Sequence, residues 1–264
     1  MAISDLAVVD SRAQIGANVT IDPYAIVQEN VSIGKDSHIH AHASVMSGTV
    51  VGDRTEIFQG AILGSIPQDL KYKGEQTKLI IGSDVKIREY CTINKGTAAS
   101  GETKINNHAL IMAYVHVAHD CIVGSNAILA NNVNLAGHVQ VDDYAIIGGM
   151  TAVQQFVRIG ESSFIGGGTL VRKDVPPYIK VAREPLSYVG INSIGLRRRD
   201  FPDNTINEIK DLYRMLFVKN QSISRAIQEI KLELPESRFK DEILSFIQNS
   251  GQGLVRGLNR NNKA

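Results

Sequence analysis

The sequence predicts a mainly β protein, a parallel β-helix of hexapeptide repeats followed by a small α-helical C-terminal domain. Three observations carry this. Aliphatic residues recur every six positions, from Ile3, Val9, Ile15 and Ile21 to Leu63, again at Ile81, Ile87 and Ile93, and from Ile105 to Val171; Asp69, Glu75 and Ala99 are the exceptions. That period fits neither one helix face nor a simple alternating strand, and it marks hexapeptide coils. The residue four after each anchor is small, as at Ala7, Ala25, Ala43, Val85, Cys91, Thr97, Ala109 and Cys121, with Pro67 the one break. Beyond Val171 the beat stops and the apolar spacing becomes helical.

Each small residue stands two before the next anchor, so the pair shares the inward face of a short strand. Three strands close one triangular coil. Neighbouring coils lie about 4.8 Å apart, so about ten of them make a prism about 45 Å long. Glycine often follows the anchor, as at Gly16, Gly34, Gly52 and Gly124, and is read here as marking the turns. Cys91 and Cys121 occupy the inward slot and are expected to be packing residues. The gaps in the beat, residues 64–79 and 95–104, are polar, glycine-bearing loops expected to leave the prism; long loops on a rigid scaffold are functional candidates.

A connector with Pro176, Pro177 and Pro185 leads out of the prism, which gives expected domains of 1–187 and 188–264. In the second, Ile206, Ile209, Leu212, Tyr213, Leu216 and Phe217 line one helix face. Ser222 can cap a helix carrying Ile223, Ala226, Ile227 and Ile230, and Phe239, Ile243, Phe246 and Ile247 make another apolar stripe. This tail is net basic, with Arg197, Arg198 and Arg199 its densest cluster.

The net charge of the whole chain is +1, and no nucleic-acid partner is expected. No stretch suits a signal peptide or reaches the length of a membrane span, so a cytoplasmic protein is expected. Leu110, Ile128, Ile146 and Phe164 fall on one outward column of strand centres. Contiguous exposed apolar surface marks an interface, and threefold symmetry suits prisms packed side by side, so a homotrimer is expected.

The phase of the beat also locates the chemistry. No histidine occupies an anchor or small slot, so none is expected in the core. His38, His40 and His42 alternate on one hexad and read as surface polarity. The corners after Val117, Leu135, Val153 and Val171 stack along one edge, bringing together His119 and Asp120, His138, Gln154 and Gln155, and Arg172 and Lys173, with His116 on the strand entering the first. A base, a carboxylate to orient it and donors for an oxyanion or phosphate make a candidate site. Histidine suits a base because its ordinary pKa lies near working pH, and a carboxylate beside it favours the imidazolium formed. The sequence holds no G-x-S-x-G elbow, P-loop or dinucleotide fingerprint, and neither a cofactor nor a metal is expected. Two rival readings stand beside this one. His116, His119 and His138 could instead serve a γ-class carbonic anhydrase-like zinc site, or the prism could be a non-catalytic scaffold.

The segment His116-Val-Ala-His119-Asp120, the run ILANNVNLAGHVQVDDYAIIGGMTAV (128–153), the loop PQDLKYKGE (67–75), the connector DVPPY (174–178) and GLRRRDF (195–201) together resemble the acyl-[acyl-carrier-protein]–UDP-N-acetylglucosamine O-acyltransferase family, which opens lipid A biosynthesis. The likeness runs through essentially the whole chain. It implies a left-handed coil, an exception to the usual crossover hand. It also implies transfer of a 3-hydroxyacyl chain from acyl carrier protein to the sugar 3-hydroxyl of UDP-N-acetylglucosamine, in a homotrimer with sites between subunits. In that resemblance His119 is the general base, Asp120 orients it, and the Gly137 N–H polarises the thioester. Gln68, Asp69, Lys71, His116, His138, Gln154, Gln155, Asn192, Arg198 and Arg199 hold the nucleotide sugar. Gly167 leaves the acyl groove open for a long chain. Gln154 and Ile194 replace a histidine and a glutamate usual in the family, and both bear on the sugar–phosphate pocket. The acidic carrier protein is expected to meet Arg172, Lys173 and the basic tail.

Overall fold

The structure, a computed structural model, describes residues 2–219 and 222–257. Short strands stack into three sheets of 11, 9 and 8 strands, parallel except for the last strand of the largest, that form the faces of a left-handed prism. Register follows the beat: Ile3 pairs with Ile21, Val117 with Leu135 and Leu135 with Val153. The anchors and the small residues before them fill the interior, where Ile21, Ile39, Val117, Leu129 and Ile147 lose essentially all contact with solvent. Cys91 and Cys121 are buried free thiols, and burial pushes each up to about 12. Two coils are longer than the rest, since Ile62 pairs with Thr92 and Thr92 with His116. The extra residues form the two interruptions, residues 66–77 and 95–101, and the flanking strands run further into them than the beat predicts.

The turns are made differently from the expectation. The left-handed backbone conformation falls on the third residue after the anchor, and that residue is seldom glycine: Tyr24, His42, Tyr90, Tyr114, Asp120, His138, Tyr144 and Phe156 all have φ between 56° and 66°. The glycines directly after the anchors answer a steric need. A Cβ on Gly34 or Gly124 would come within about 2.5 Å of the next coil's backbone. The carbonyl and amide ladder simply leaves no room there.

At the N-terminal end of the prism the inward anchors are uncovered: Ile3 is 38% exposed, and Val9 and Ile15 are only half-buried. The other end is closed. The strand Ile179–Ala182 continues one sheet and Ser187–Ile191 pairs antiparallel with it, so the sheet runs past the expected boundary at 187/188. Four helices follow: α1 (Ser193–Arg198), α2 (Asp203–Arg214), which runs on into a π-helical turn (Met215–Lys219), α3 (Ile223–Glu233) and α4 (Arg238–Gln248). Ser222 caps α3 as expected, and Ser237 caps α4. Buried Lys240 donates to the Leu234 carbonyl at 2.8 Å and pairs with Glu236, satisfying the orphan carbonyls at the end of α3. The chain then returns to the prism, where the buried Asp174 carboxylate accepts from Arg158 N–H, Ser250 Oγ and Gln252 N–H.

Between α4 and the prism, Tyr178 donates to Glu242 at 2.7 Å, with Asp142 and Arg158 lining the same cleft. Burial raises both Asp142 and Glu242 above the usual carboxylate range. As pH rises from the ordinary to the raised value, the unfolded chain releases its proton first, so stability falls across that interval. Glu242→Gln keeps an acceptor for Tyr178 and removes the buried charge. Its melting midpoint is therefore expected to exceed that of the unmodified chain by about 2 °C at pH 8, with the gap closing towards pH 4, as read in thermal melts.

Candidate active site

The strand His116–Val117 delivers the chain into the corner that carries His119 and Asp120. Among the described residues no histidine packs in the prism's interior, but His119 is buried at this corner. His119 is only 8% exposed, because His138, Gly137 and the loop at 95–101 close around it. Its Nδ1 lies 2.7 Å from Asp120 Oδ2. Asp120 has no exposed side-chain surface. Burial alone would raise its pKa, but hydrogen bonds from Ser100, Thr97 and His119 outweigh burial and hold the carboxyl well below the usual range. An ionised carboxylate only accepts, so in the neutral imidazole His119 Nδ1 carries the proton and Nε2 presents a lone pair. This geometry offers a neutral base whose conjugate acid has a counter-ion already in place.

Gly137 sits against that ring. A Cβ at this position would come 2.6 Å from His119 Cε1 and 2.7 Å from Nε2, so only glycine leaves the imidazole where it is. The Gly137 N–H makes no hydrogen bond among the described residues, although the carbonyl accepts from Phe156 N–H. A free donor beside an unprotonated Nε2 is the pairing that attack on a carbonyl requires. His138 meets His119 edge-on at 5.2 Å, stacks on Phe156 at 4.7 Å and brings Nε2 to 3.6 Å from Asp120 Oδ2. Gln154 and Gln155 are exposed on the next coil, with Arg172 and Lys173 exposed on the one after. The edge foreseen from the beat is therefore assembled.

His116 lies off the edge, on the strand face, with Nδ1 2.7 Å from Thr92 Oγ1; burial lowers its pKa. Ligand atoms of His119, Asp120 and His138 approach within 4.8 Å of one another, but both Asp120 oxygens are already taken by donors. His38 and His40 both face Asp22, with their rings stacked 3.7 Å apart and ligand atoms of the three residues within 4.8 Å of one another. In the first long loop, Asp69 accepts from Lys71 N–H at 2.9 Å, while Gln68 and Lys71 are exposed. Gly167 is exposed on another corner, against Gly149.

The tail residues divide. Asn192 is buried as the N-cap of α1, accepting from Gly195 N–H and donating to the Ser162 carbonyl. Arg199 lies 3.5 Å over the Tyr144 ring, pairs with Glu161 and donates to Ser162. Arg198 is exposed and has no side-chain partner among the described residues. Sequence reasoning missed Thr97, Ser100 and Thr103 around Asp120, and Phe156 against His138. Thr97 stands in the small-residue slot of its hexad, but the chain has already left the prism at that point and turns its hydroxyl to Asp120.

Comparison with known proteins bears on the whole chain. Residues 174–255 match the model of UDP-N-acetylglucosamine O-acyltransferase domain 2, and residues 12–46 and 102–137 match the bacterial transferase hexapeptide repeats. An acyl-[acyl-carrier-protein]–UDP-N-acetylglucosamine O-acyltransferase of Psychrobacter sp. is 46% identical over 256 residues, covering 96% of this chain and 99% of the relative. The enzyme of the same name from Thermodesulfovibrio yellowstonii is 42% identical over 255 residues, with the same coverage. The crystal structure of a UDP-N-acetylglucosamine acyltransferase from Bacteroides fragilis superimposes with a TM-score of 0.94 at 43% identity, covering 96% of this chain and 99% of that one.

Proposed function

The chain belongs to the acyl-[acyl-carrier-protein]–UDP-N-acetylglucosamine O-acyltransferase family, and from that premise we propose how its residues divide the work of acyl transfer. The protein is an acyltransferase that moves an acyl chain from acyl carrier protein to UDP-N-acetylglucosamine, in the first step of lipid A biosynthesis. Nothing among its relatives favours a carbonic anhydrase. The single observation that carries the mechanism is the His119–Asp120 contact of 2.7 Å, which leaves Nε2 unprotonated beside the unpaired Gly137 N–H.

His119 Nε2 takes the proton of the sugar 3-hydroxyl as its oxygen attacks the thioester carbonyl carbon. The developing oxyanion accepts from the Gly137 N–H. The attack forms the ester C–O bond; collapse of the tetrahedral species restores the carbonyl and breaks the C–S bond, and the imidazolium gives its proton to the departing carrier thiolate. Asp120 stays ionised throughout and offsets the imidazolium charge. His138, Gln154 and Gln155 line the sugar side, with His116 on the adjoining strand face, and Gln68, Asp69 and Lys71 reach the nucleotide from the loop. Of the tail residues, Arg198 has the free guanidinium suited to phosphate. Asn192 and Arg199 serve that side by holding α1 against Ser162 and Tyr144. Arg172 and Lys173 are exposed cations fit to meet an acidic carrier protein.

A homotrimer completes the reading. The column Leu110, Ile128, Ile146 and Phe164 is one continuous ladder, half-buried within the single chain, and a partner prism would cover the rest. Sedimentation at micromolar concentration is expected to give three times the chain mass. The assay that tests the function follows acyl transfer from acyl carrier protein to UDP-N-acetylglucosamine; an inert purified trimer would overturn it.

Two substitutions probe the parts. Gly137→Ala is expected to push the His119 ring aside and lower kcat about 10²-fold while the melting midpoint stays near that of the unmodified protein. Gly167 bears on the donor. We propose a long 3-hydroxyacyl chain, since the exposed glycine leaves its corner open. Gly167→Met is expected to shift preference towards shorter donors in a chain-length competition, and unchanged selectivity would sink that role.

A further inference from the structure

We infer that the loop at residues 95–101 belongs to the catalytic apparatus, with Thr97 and Ser100 as positioning residues that fix the Asp120 carboxylate and, through it, the tautomer and orientation of His119. This rests on His119 being the general base. The loop is drawn in over the corner by its own ties. Gly96 N–H donates to Lys78, Lys78 N–H donates to Gly101, and the strand Glu102–Ile105 pairs with Lys78–Ile81. Gly96 is required for this closure, because a Cβ there would collide with the Glu102 backbone.

Once closed, the loop aims three donors at one carboxylate. Thr97 N–H reaches Oδ1 at 2.9 Å, Thr97 Oγ1 reaches Oδ2 at 2.7 Å, and Ser100 Oγ contacts Oδ1. His119 supplies a fourth donor on Oδ2. From the prism side, Asp120 N–H donates to Thr103 Oγ1 at 2.8 Å, so backbone and side chain are pinned from opposite directions.

The two hydroxyls differ in how firmly they act. Thr97 Oγ1 accepts from Ala99 N–H at 3.2 Å, which leaves its single proton directed at Asp120. Ser100 Oγ lies between Asp120 and the Glu102 carbonyl, so its proton is shared between two acceptors. Thr97 is therefore the stronger anchor. A carboxylate buried without these donors would protonate or rotate, and a protonated Asp120 would no longer hold the proton on Nδ1.

The test compares Thr97→Val, Thr97→Ser and Ser100→Ala with the unmodified enzyme and His119→Ala. Valine keeps the shape and the backbone donor and removes only the hydroxyl. Thr97→Val is expected to lower kcat about 10- to 100-fold with both KM values within about twofold, and Ser100→Ala to lower it less, about 3- to 10-fold. Thr97→Ser is expected to restore activity. In 15N spectra, His119 is expected to be protonated on Nδ1 in the unmodified enzyme and mixed between tautomers in Thr97→Val. Wild-type kcat and an unchanged His119 tautomer in Thr97→Val would overturn the inference, as would a Thr97→Ser variant as impaired as the valine one. Should Thr97→Val fail to fold in thermal melts, the Ser100→Ala tautomer and kcat decide by the same criteria. An active His119→Ala would instead remove the reading of the base itself, whatever the loop variants do.

Discussion

His119→Ala is expected to lower kcat for acyl transfer by about 10²–10⁴-fold, the span that a positioned general base supplies. The nucleophile is a sugar hydroxyl, which attacks a thioester poorly until a base takes its proton. Among the described residues at this corner, His119 is the one whose ring presents a free lone pair next to an unpaired backbone donor. The KM for UDP-N-acetylglucosamine is expected to change little, because the nucleotide is held elsewhere. The fold is expected to survive, since the ring lies outside the prism's interior and leaves Asp120 with three of its donors. Steady-state rates with saturating carrier and sugar nucleotide measure this; a variant that keeps the parent kcat would exclude the histidine as base.

Asp120→Asn is expected to be nearly as damaging, with kcat down by about 10²–10⁴-fold, although it changes neither size nor shape. Donors already aim at both oxygens. Whichever way the amide turns, its NH2 faces an N–H or O–H group. With the NH2 on the Thr97 hydroxyl side, the amide becomes a donor to His119, moves the imidazole proton from Nδ1 to Nε2 and abolishes the base. With the NH2 on the other side, it confronts the Thr97 N–H and the carboxylate charge that stabilised the imidazolium is still gone. Comparison with His119→Ala is informative: the double variant is expected to be no slower than the slower single, because the two residues act as one unit.

The fold was legible because its determinant is local. Each hexad repeats the same demand, so phase alone tells inward Ile39 and Cys121 from outward Leu110, and the stacking of His119, His138, Gln155 and Lys173 along one edge follows from register. What stayed hidden is non-local. Thr97 obeys the beat's composition yet works outside the prism, because where an interrupted coil sends its loop depends on Lys78 and Glu102 rather than on the hexad. His119 is buried by neighbours from other coils, which its own hexad cannot report. Arg199 reads from the sequence as a sugar–phosphate contact, and its seat over Tyr144 and beside Glu161, both far away in sequence, is not written in the basic run at 197–199. The glycines after the anchors are visible in the sequence but their cause is not: it lies in the backbone of the neighbouring coil and not in their own backbone angles.

The asymmetry of the prism's two ends governs how the molecule comes apart. Coils touch only adjacent coils, so a stack of this kind unzips from whichever end is less secured. Here that is the N-terminal face, where inward Ile3 is exposed and Val9 and Ile15 are half-buried, whereas the far end is bolted by the Asp174 hydrogen bonds and the returning C-terminal segment. His116 and Val117 form the sixth of the nine strands in their sheet, so five layers must peel away before an opening from the open face arrives at the site. Amide exchange is accordingly expected to be fastest in the first coil and slowest around Val117 and Leu135, so that the enzyme can breathe at its tip without its reacting groups losing register.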